Sequence, residues 1–155
     1  MMTGPPRGFS YSFLTSYDVT GTSGSGIDSR VVLIGNPNLP KSERTIYRHF
    51  RTEVVTAPTR ADFGIGNAPK DPIRGPGINN FDLSFFKNTA LTKDGRHRLQ
   101  FRAEFYNAFN HTQFSEVDTG ARFDNATGQN VNARFGQYTA ARDARRIQFG
   151  LRYNF

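Results

Sequence analysis

The later half of the chain alternates between apolar and polar positions. Asp82 and Ser84 separate Phe81, Leu83 and Phe85, while Gln100, Arg102 and Glu104, with Arg98 ahead of them, separate Leu99, Phe101, Ala103 and Phe105. Further on, Gln148, Gly150, Arg152 and Asn154 separate Ile147, Phe149, Leu151, Tyr153 and Phe155. A helix turning ~100° per residue would scatter Leu99, Phe101 and Phe105 among Arg98, Arg102 and Glu104, whereas a strand sorts them onto two faces. The pattern predicts three strands, at about residues 79–88, 97–109 and 145–155. Asp94-Gly95 is a good tight-turn pair, so the first two strands form a hairpin across residues 89–96. The alternation slips at "YNAF", which marks a bulge or a strand end, and residues 110–144 are polar and read as a long loop.

The earlier half follows different rules. All eight prolines lie at or before Pro76 and ten of the fifteen glycines at or before Gly77, in stretches such as "GTSGSGIDS", "GNPNLP" and "GIGNAPKDPIRGPG". Such punctuation favours turns over long regular elements. Residues 1–78 are therefore expected to be mainly loop, with a short helix at 41–51 in which Ser42 caps and Ile46, Tyr47 and Phe50 share a side. "RTEVVTA" suits a short strand.

Two-faced strands of about ten residues fit a soluble sandwich, and they also fit a bilayer, which a tilted strand crosses in roughly 9–11 residues. Three features favour the bilayer. Aromatic rings crowd the apolar faces, as in an interfacial girdle. The opposite faces carry Asp82, Arg98, Arg102, Glu104 and Arg152, too much charge for a dry core and natural in a water-filled lumen. The connections run long, short, long, and outer-membrane barrels have short turns on the periplasmic side and long loops outside. The fold class expected is all-β: antiparallel C-terminal strands of an incomplete transmembrane β-barrel, a curved partial sheet with long, extended extracellular loops and a small core.

This assigns Phe81, Leu83, Phe85, Leu99, Phe101, Ala103, Phe105, Ile147, Phe149, Leu151, Tyr153 and Phe155 to the lipid face. It assigns Asp82, Ser84, Arg98, Gln100, Arg102, Glu104, Gln148, Arg152 and Asn154 to the lumen. The stripe from Ile147 to Phe155 resembles the C-terminal insertion signal that the barrel assembly machinery reads in bacterial outer-membrane proteins.

Composition narrows the chemistry further. With 36% hydrophobic residues, no apolar run approaches the roughly 20 residues of a membrane-spanning helix. The opening "MMTGPPRGFS" lacks the charged and apolar regions of a secretory signal, so an exported protein would need a longer precursor. The net charge of +7 is spread along the chain instead of gathering on one segment, which argues against nucleic acid as a partner. Zero cysteines exclude thiolate metal sites and disulfides. His49, His97 and His111 lack metal-ligand spacing, and His97, beside the tight turn, reads as a solvated side chain. Ser42, Ser84 and Ser115 lack a nucleophile elbow. "GIGNAP" and "GPG" are turn glycines without the lysine of a phosphate loop. The expectation is a protein with no catalytic residue, no metal and no cofactor, whose ligand-binding residues the sequence does not identify.

The phrases "RGPGINNFDLSFFKNT", "RLQFRAEFYNAFNHTQF" and "ARDARRIQFGLRYNF", in this order and spacing, resemble the C-terminal end of TonB-dependent outer-membrane receptors of the large Oar-like group, which carry an N-terminal carboxypeptidase-regulatory-like domain. "GNPNLPKSERTIYRHFRTEVVTAP" is similar to the loop before those strands, so the likeness covers about residues 18–155. The resemblance implies a protein several times longer, with a 22-stranded barrel closed around a plug. It also implies energised nutrient uptake, with outer-membrane lipid, the plug and remaining strands, and through them TonB, as partners. Two rival functions remain: a soluble β-rich module binding carbohydrate or nucleic acid, and a porin or adhesin barrel without TonB coupling.

Overall fold

The computed structural model describes residues 2–16, 18–20, 29–62 and 64–155; the glycine-rich stretch predicted as turn at 21–28 lies outside the described residues. No α-helix occurs among them. Five strands precede the alternating region: β1 (Pro6–Arg7), β2 (Ser10–Phe13), β3 (Val32–Leu33), β4 (Val55–Thr56) and β5 (Ile73–Arg74). Six follow: β6 (Leu83–Ala90), β7 (Arg98–Tyr106), β8 (Phe114–Val117), β9 (Gly120–Phe123), β10 (Tyr138–Ala141) and β11 (Arg146–Asn154). The chain divides into two compact units, one built on β6, β7 and β11, the other formed by Thr3–Gly77 together with Phe114–Ala141.

The first unit is a three-stranded antiparallel sheet in the order β11-β7-β6. Its hairpin closes with Leu91 N–H donating to His97 O at 2.8 Å, and Gly95 takes φ 67°, the left-handed conformation glycine adopts without penalty. β6 starts four residues later than predicted and β7 ends three residues sooner. The cause is a clasp of polar side chains at the sheet's open end. Asn107, at φ 51°, turns the chain out of β7, and its N–H donates to Asp82 Oδ1 at 2.9 Å. Asn107 Oδ1 accepts from His111 N–H at 3.0 Å, and Gln113 Oε1 accepts from Asn79 N–H at 3.2 Å.

The second unit departs from the extended loop the prolines and glycines predict. Phe50, Phe123, Val31, Val55, Ile73, Val117, Ala121 and Phe135 are buried in one cluster, with Phe9, Tyr11, Phe13 and Tyr138 packed against it. Phe50 sits edge-on to Phe9 at 5.0 Å and to Phe135 at 5.1 Å. Around this core lie short pairs, β1 with β5, β3 with β4 and β8 with β10 antiparallel, and β2 with β9 parallel. The predicted loop at 110–144 thus contains β8, β9 and β10. Gly66 is required where it stands: at φ 70°, an added Cβ would lie 2.0 Å from Arg30 O.

The predicted helix at 41–51 is corrected to a single 3-10 turn at Lys41–Glu43, capped by no side chain, followed by extended Arg44. Thr45 and Arg48 then exchange backbone bonds and close a tight turn. A helix needs a buried stripe to hold it. Here Ile46 and Tyr47 are 51% and 69% exposed while His49 and Phe50 go inward, so adjacent residues are buried instead of residues a helical turn apart.

His49 ties three segments of this unit together. Its Nε2 lies 2.7 Å from Arg74 O, which can only accept, so Nε2 carries the proton and Nδ1 accepts from Tyr138 O–H at 2.8 Å. Burial lowers its pKa from the ordinary 6.5, with Arg44 adding to the effect and the Arg74 bond opposing it. Burial also pushes the Tyr138 phenol up, which keeps its donor proton in place. A histidine whose folded pKa is depressed contributes stability that is fully present above 6.5 and is lost as pH falls from 6.5 through the lowered folded value. Protease cleavage within Thr3–Gly77 of the full-length protein is expected to rise progressively below about pH 6.5. His49→Gln should flatten that rise, and a cleavage rate independent of pH in the unsubstituted protein would refute the assignment.

Candidate membrane-facing wall

The register of the sheet sorts its side chains into cross-strand rows. On one face these are Leu83–Phe105–Ile147, Phe85–Ala103–Phe149, Lys87–Phe101–Leu151 and Thr89–Leu99–Tyr153. On the other they are Ser84–Glu104–Gln148, Phe86–Arg102–Gly150, Asn88–Gln100–Arg152 and Ala90–Arg98–Asn154. Within the strands, every position assigned from sequence to the lipid falls on the first face and every position assigned to the lumen on the second.

The first face is an uncovered aromatic surface. Phe85 is 59% exposed, Phe149 67% and Leu151 69%. Phe101 and Phe149 stack at 6.1 Å, and Phe85 meets Phe105 edge-on at 6.0 Å. At the hairpin end the His97 and Tyr153 rings stack at 5.8 Å and are hydrogen-bonded, and Tyr153 stacks on Phe155 at 5.8 Å. His97, expected to be simply solvated, is thus part of an aromatic edge. At the open end Phe81 meets Phe109 at 5.5 Å. Nine-residue strands run about 30 Å, or roughly 21 Å along a membrane normal at a 45° tilt, close to the ~25 Å apolar band of an outer-membrane barrel.

The second face is polar and partly self-satisfied. Gln100 Nε2 donates across the sheet to Asn88 Oδ1 at 2.9 Å, and Arg98 Nε donates to Gly95 O at 2.8 Å. Arg102 and Glu104 form an ion pair at 3.6 Å, worth about 0–1 kcal/mol at such exposure. The missing side chain of Gly150 leaves a hollow of about 230 Å³ lined by Gln100, Arg102, Glu104, Gln148 and Arg152. The clasp frames a second hollow of about 480 Å³ lined by Asn80, Asp82, Asn107, Gln113, Arg142 and Arg146.

Three of the assigned positions, Phe81, Asp82 and Phe155, lie outside the strands. Phe81 and Asp82 precede β6, and Asp82, itself exposed, accepts from Asn107 N–H and Asn80 Nδ2. Phe155 follows the last ladder pair and is 92% exposed. In β6 the apolar pattern inverts after Phe85, so Phe86 joins the polar face and Lys87 the apolar one. Sequence reasoning also missed the clasp of Asn80, Asn107 and Gln113, although the slip at "YNAF" marks its place. Among the described residues no cluster of metal-ligating side chains occurs.

A family model described as outer membrane beta barrel domain matches residues 1–148. No curated protein and no solved structure matches the chain. The match spans nearly the whole sequence, and the three-stranded antiparallel wall has the two faces such a barrel requires: the chain belongs to the outer membrane β-barrel domain family, and its place is the bacterial outer membrane.

Proposed function

We propose that the chain supplies C-terminal strands and loops to the barrel of a TonB-dependent receptor of the Oar-like group, and takes part in energised uptake of a nutrient across the outer membrane. One observation supports this most directly. A sheet with one lipid-suited face turns tightly at Leu91–His97, whereas both of its other connections, into β6 and from β7 to β11, leave from the opposite end. The resemblance of "RGPGINNFDLSFFKNT" and "ARDARRIQFGLRYNF" adds the receptor group.

On this proposal the aromatic face meets lipid, the polar face lines the lumen and contacts a plug, and the stripe Ile147–Phe155 is read by the assembly machinery. The work done is binding and transport, without covalent chemistry, cofactor or nucleic acid.

Three measurements on the full-length protein test it. Phe149→Arg, in the central row of the apolar face, is expected to destabilise the folded barrel by about 2–4 kcal/mol, while Gln148→Arg, on the opposite face, leaves it within about 0.5 kcal/mol. Urea titration in lipid vesicles reads both, and equal losses would remove the face assignment. Phe155→Ser should lower the amount of heat-modifiable, folded protein in the outer membrane; unchanged amounts would reject the insertion signal. Immobilised full-length receptor should retain the periplasmic domain of TonB, and failure to retain it would leave a porin or adhesin barrel in place of a receptor.

A further inference from the structure

Lys87 stands on the apolar face, with Phe101 directly across in β7 and Leu151 next in the same row. It is exposed, and no acidic side chain pairs with it among the described residues. An ammonium held at the centre of the hydrocarbon is costly, and the cost falls away toward the interface. Position 87 lies three residues from the strand's end at Ala90, about 10 Å along the strand and roughly 7 Å along the membrane normal at a 45° tilt. A lysine stem can lie along the apolar surface and carry its head toward the headgroups from there.

Further polar groups border the same face toward the hairpin end. Thr89 is the next residue of β6 on this face, and Tyr153 ends Thr89's row on β11, with Leu99 of β7 between them. The Tyr153 hydroxyl is bonded to His97 Nδ1, and a phenol both donates and accepts, so one of its two functions remains for another partner. The turn adds Lys93 and Arg96, the latter only loosely paired with Asp94 at 3.6 Å and 83% exposed. Cations and hydroxyls at the border of an aromatic surface fit one ligand chemistry, the phosphate of a membrane lipid.

We propose that Lys87, with Thr89 next to it on β6 and Tyr153 across the sheet on β11, holds the phosphate of an anionic phospholipid in the leaflet at the hairpin end of the wall. The proposal rests on the aromatic face being the lipid face, and it is independent of TonB coupling.

The test uses full-length protein in nanodiscs of equal phosphatidylglycerol and phosphatidylcholine, with native mass spectrometry counting the lipids retained on release. Phosphatidylglycerol should be enriched on the unsubstituted protein and on Lys87→Arg, and the enrichment should fall roughly fivefold in Lys87→Leu and Lys87→Gln. Heat-modifiable mobility selects the folded fraction of each variant for the count. No enrichment on the unsubstituted protein, or equal enrichment on a folded Lys87→Leu or Lys87→Gln, overturns the site. So does an oligomer that Lys87→Leu disperses, which would assign the face to protein contact. Normal folding of Phe149→Arg would instead reject the lipid face itself.

Discussion

β7 exchanges backbone hydrogen bonds with β6 on one edge and β11 on the other, and the register of those two ladders decides which side chains share a surface. Leu83 and Ile147 both lie opposite Phe105, and Phe85 and Phe149 both lie opposite Ala103. Because side chains alternate, a slip of one residue would carry every ring of the displaced strand to the polar face. Ala103 helps fix the choice. It is 6% exposed on a face otherwise open, with an aromatic residue on either side whose ring leans diagonally to Phe105 or Phe101. A small residue at the centre lets both neighbouring strands lay rings over the middle one, so the pairing that satisfies the backbone also gathers the apolar surface.

That surface and those ladders impose conditions on the surroundings. Among the described residues β6 and β11 are each paired on one edge only. In hydrocarbon an unpaired N–H or C=O costs several kcal/mol, so both open edges must be joined to further strands, and three strands are too few to close a barrel, whose minimum is about eight. In water the rows of Phe and Leu would instead be exposed beside open edges, the arrangement that leads sheets to aggregate. Lipid outside and strands alongside therefore answer two separate physical demands of one small sheet, and both agree with membership of an outer-membrane barrel family.

The wall was legible in the sequence because its information is local. Alternation over Leu99–Phe105 and Ile147–Tyr153 needs no knowledge of partners, and the register then placed both runs on one face. The second unit was not legible, because its core joins residues far apart: Phe9, Phe50 and Ile73 meet Val117, Phe123 and Phe135 only after the chain returns. Ile73 stands alone in a proline-rich stretch, and the spacing of Phe50 from Ile46 and Tyr47 reads as a helical face; Phe9, Tyr11 and Phe13 do alternate with Ser10 and Ser12, but nothing in that short run identifies Gly120–Phe123 as its partner strand. The expected helix at 41–51 failed for the same reason, since His49 and Phe50 are drawn inward by partners at Arg74, Phe135 and Tyr138 that the local sequence does not reveal.

The inversion in β6 shows how far alternation can be trusted. Leu83 and Phe85 obey it, but Phe86 lies in the row of Arg102 and Gly150, and a large ring on the polar side is matched across the sheet by the smallest residue available. An alanine at position 150 would place its Cβ 3.9 Å from Arg102 Cβ, an ordinary contact, and the backbone there does not adopt a positive φ. Neither backbone strain nor crowding therefore demands the glycine. What it contributes is empty space beside Arg102, which any larger side chain would fill. The polar face consequently has relief, a ring on one side of Arg102 and a hollow on the other, while the apolar face is an almost continuous layer of rings and aliphatic chains. Such relief suits a surface that is met by specific groups, and such a layer suits one that is met by disordered lipid.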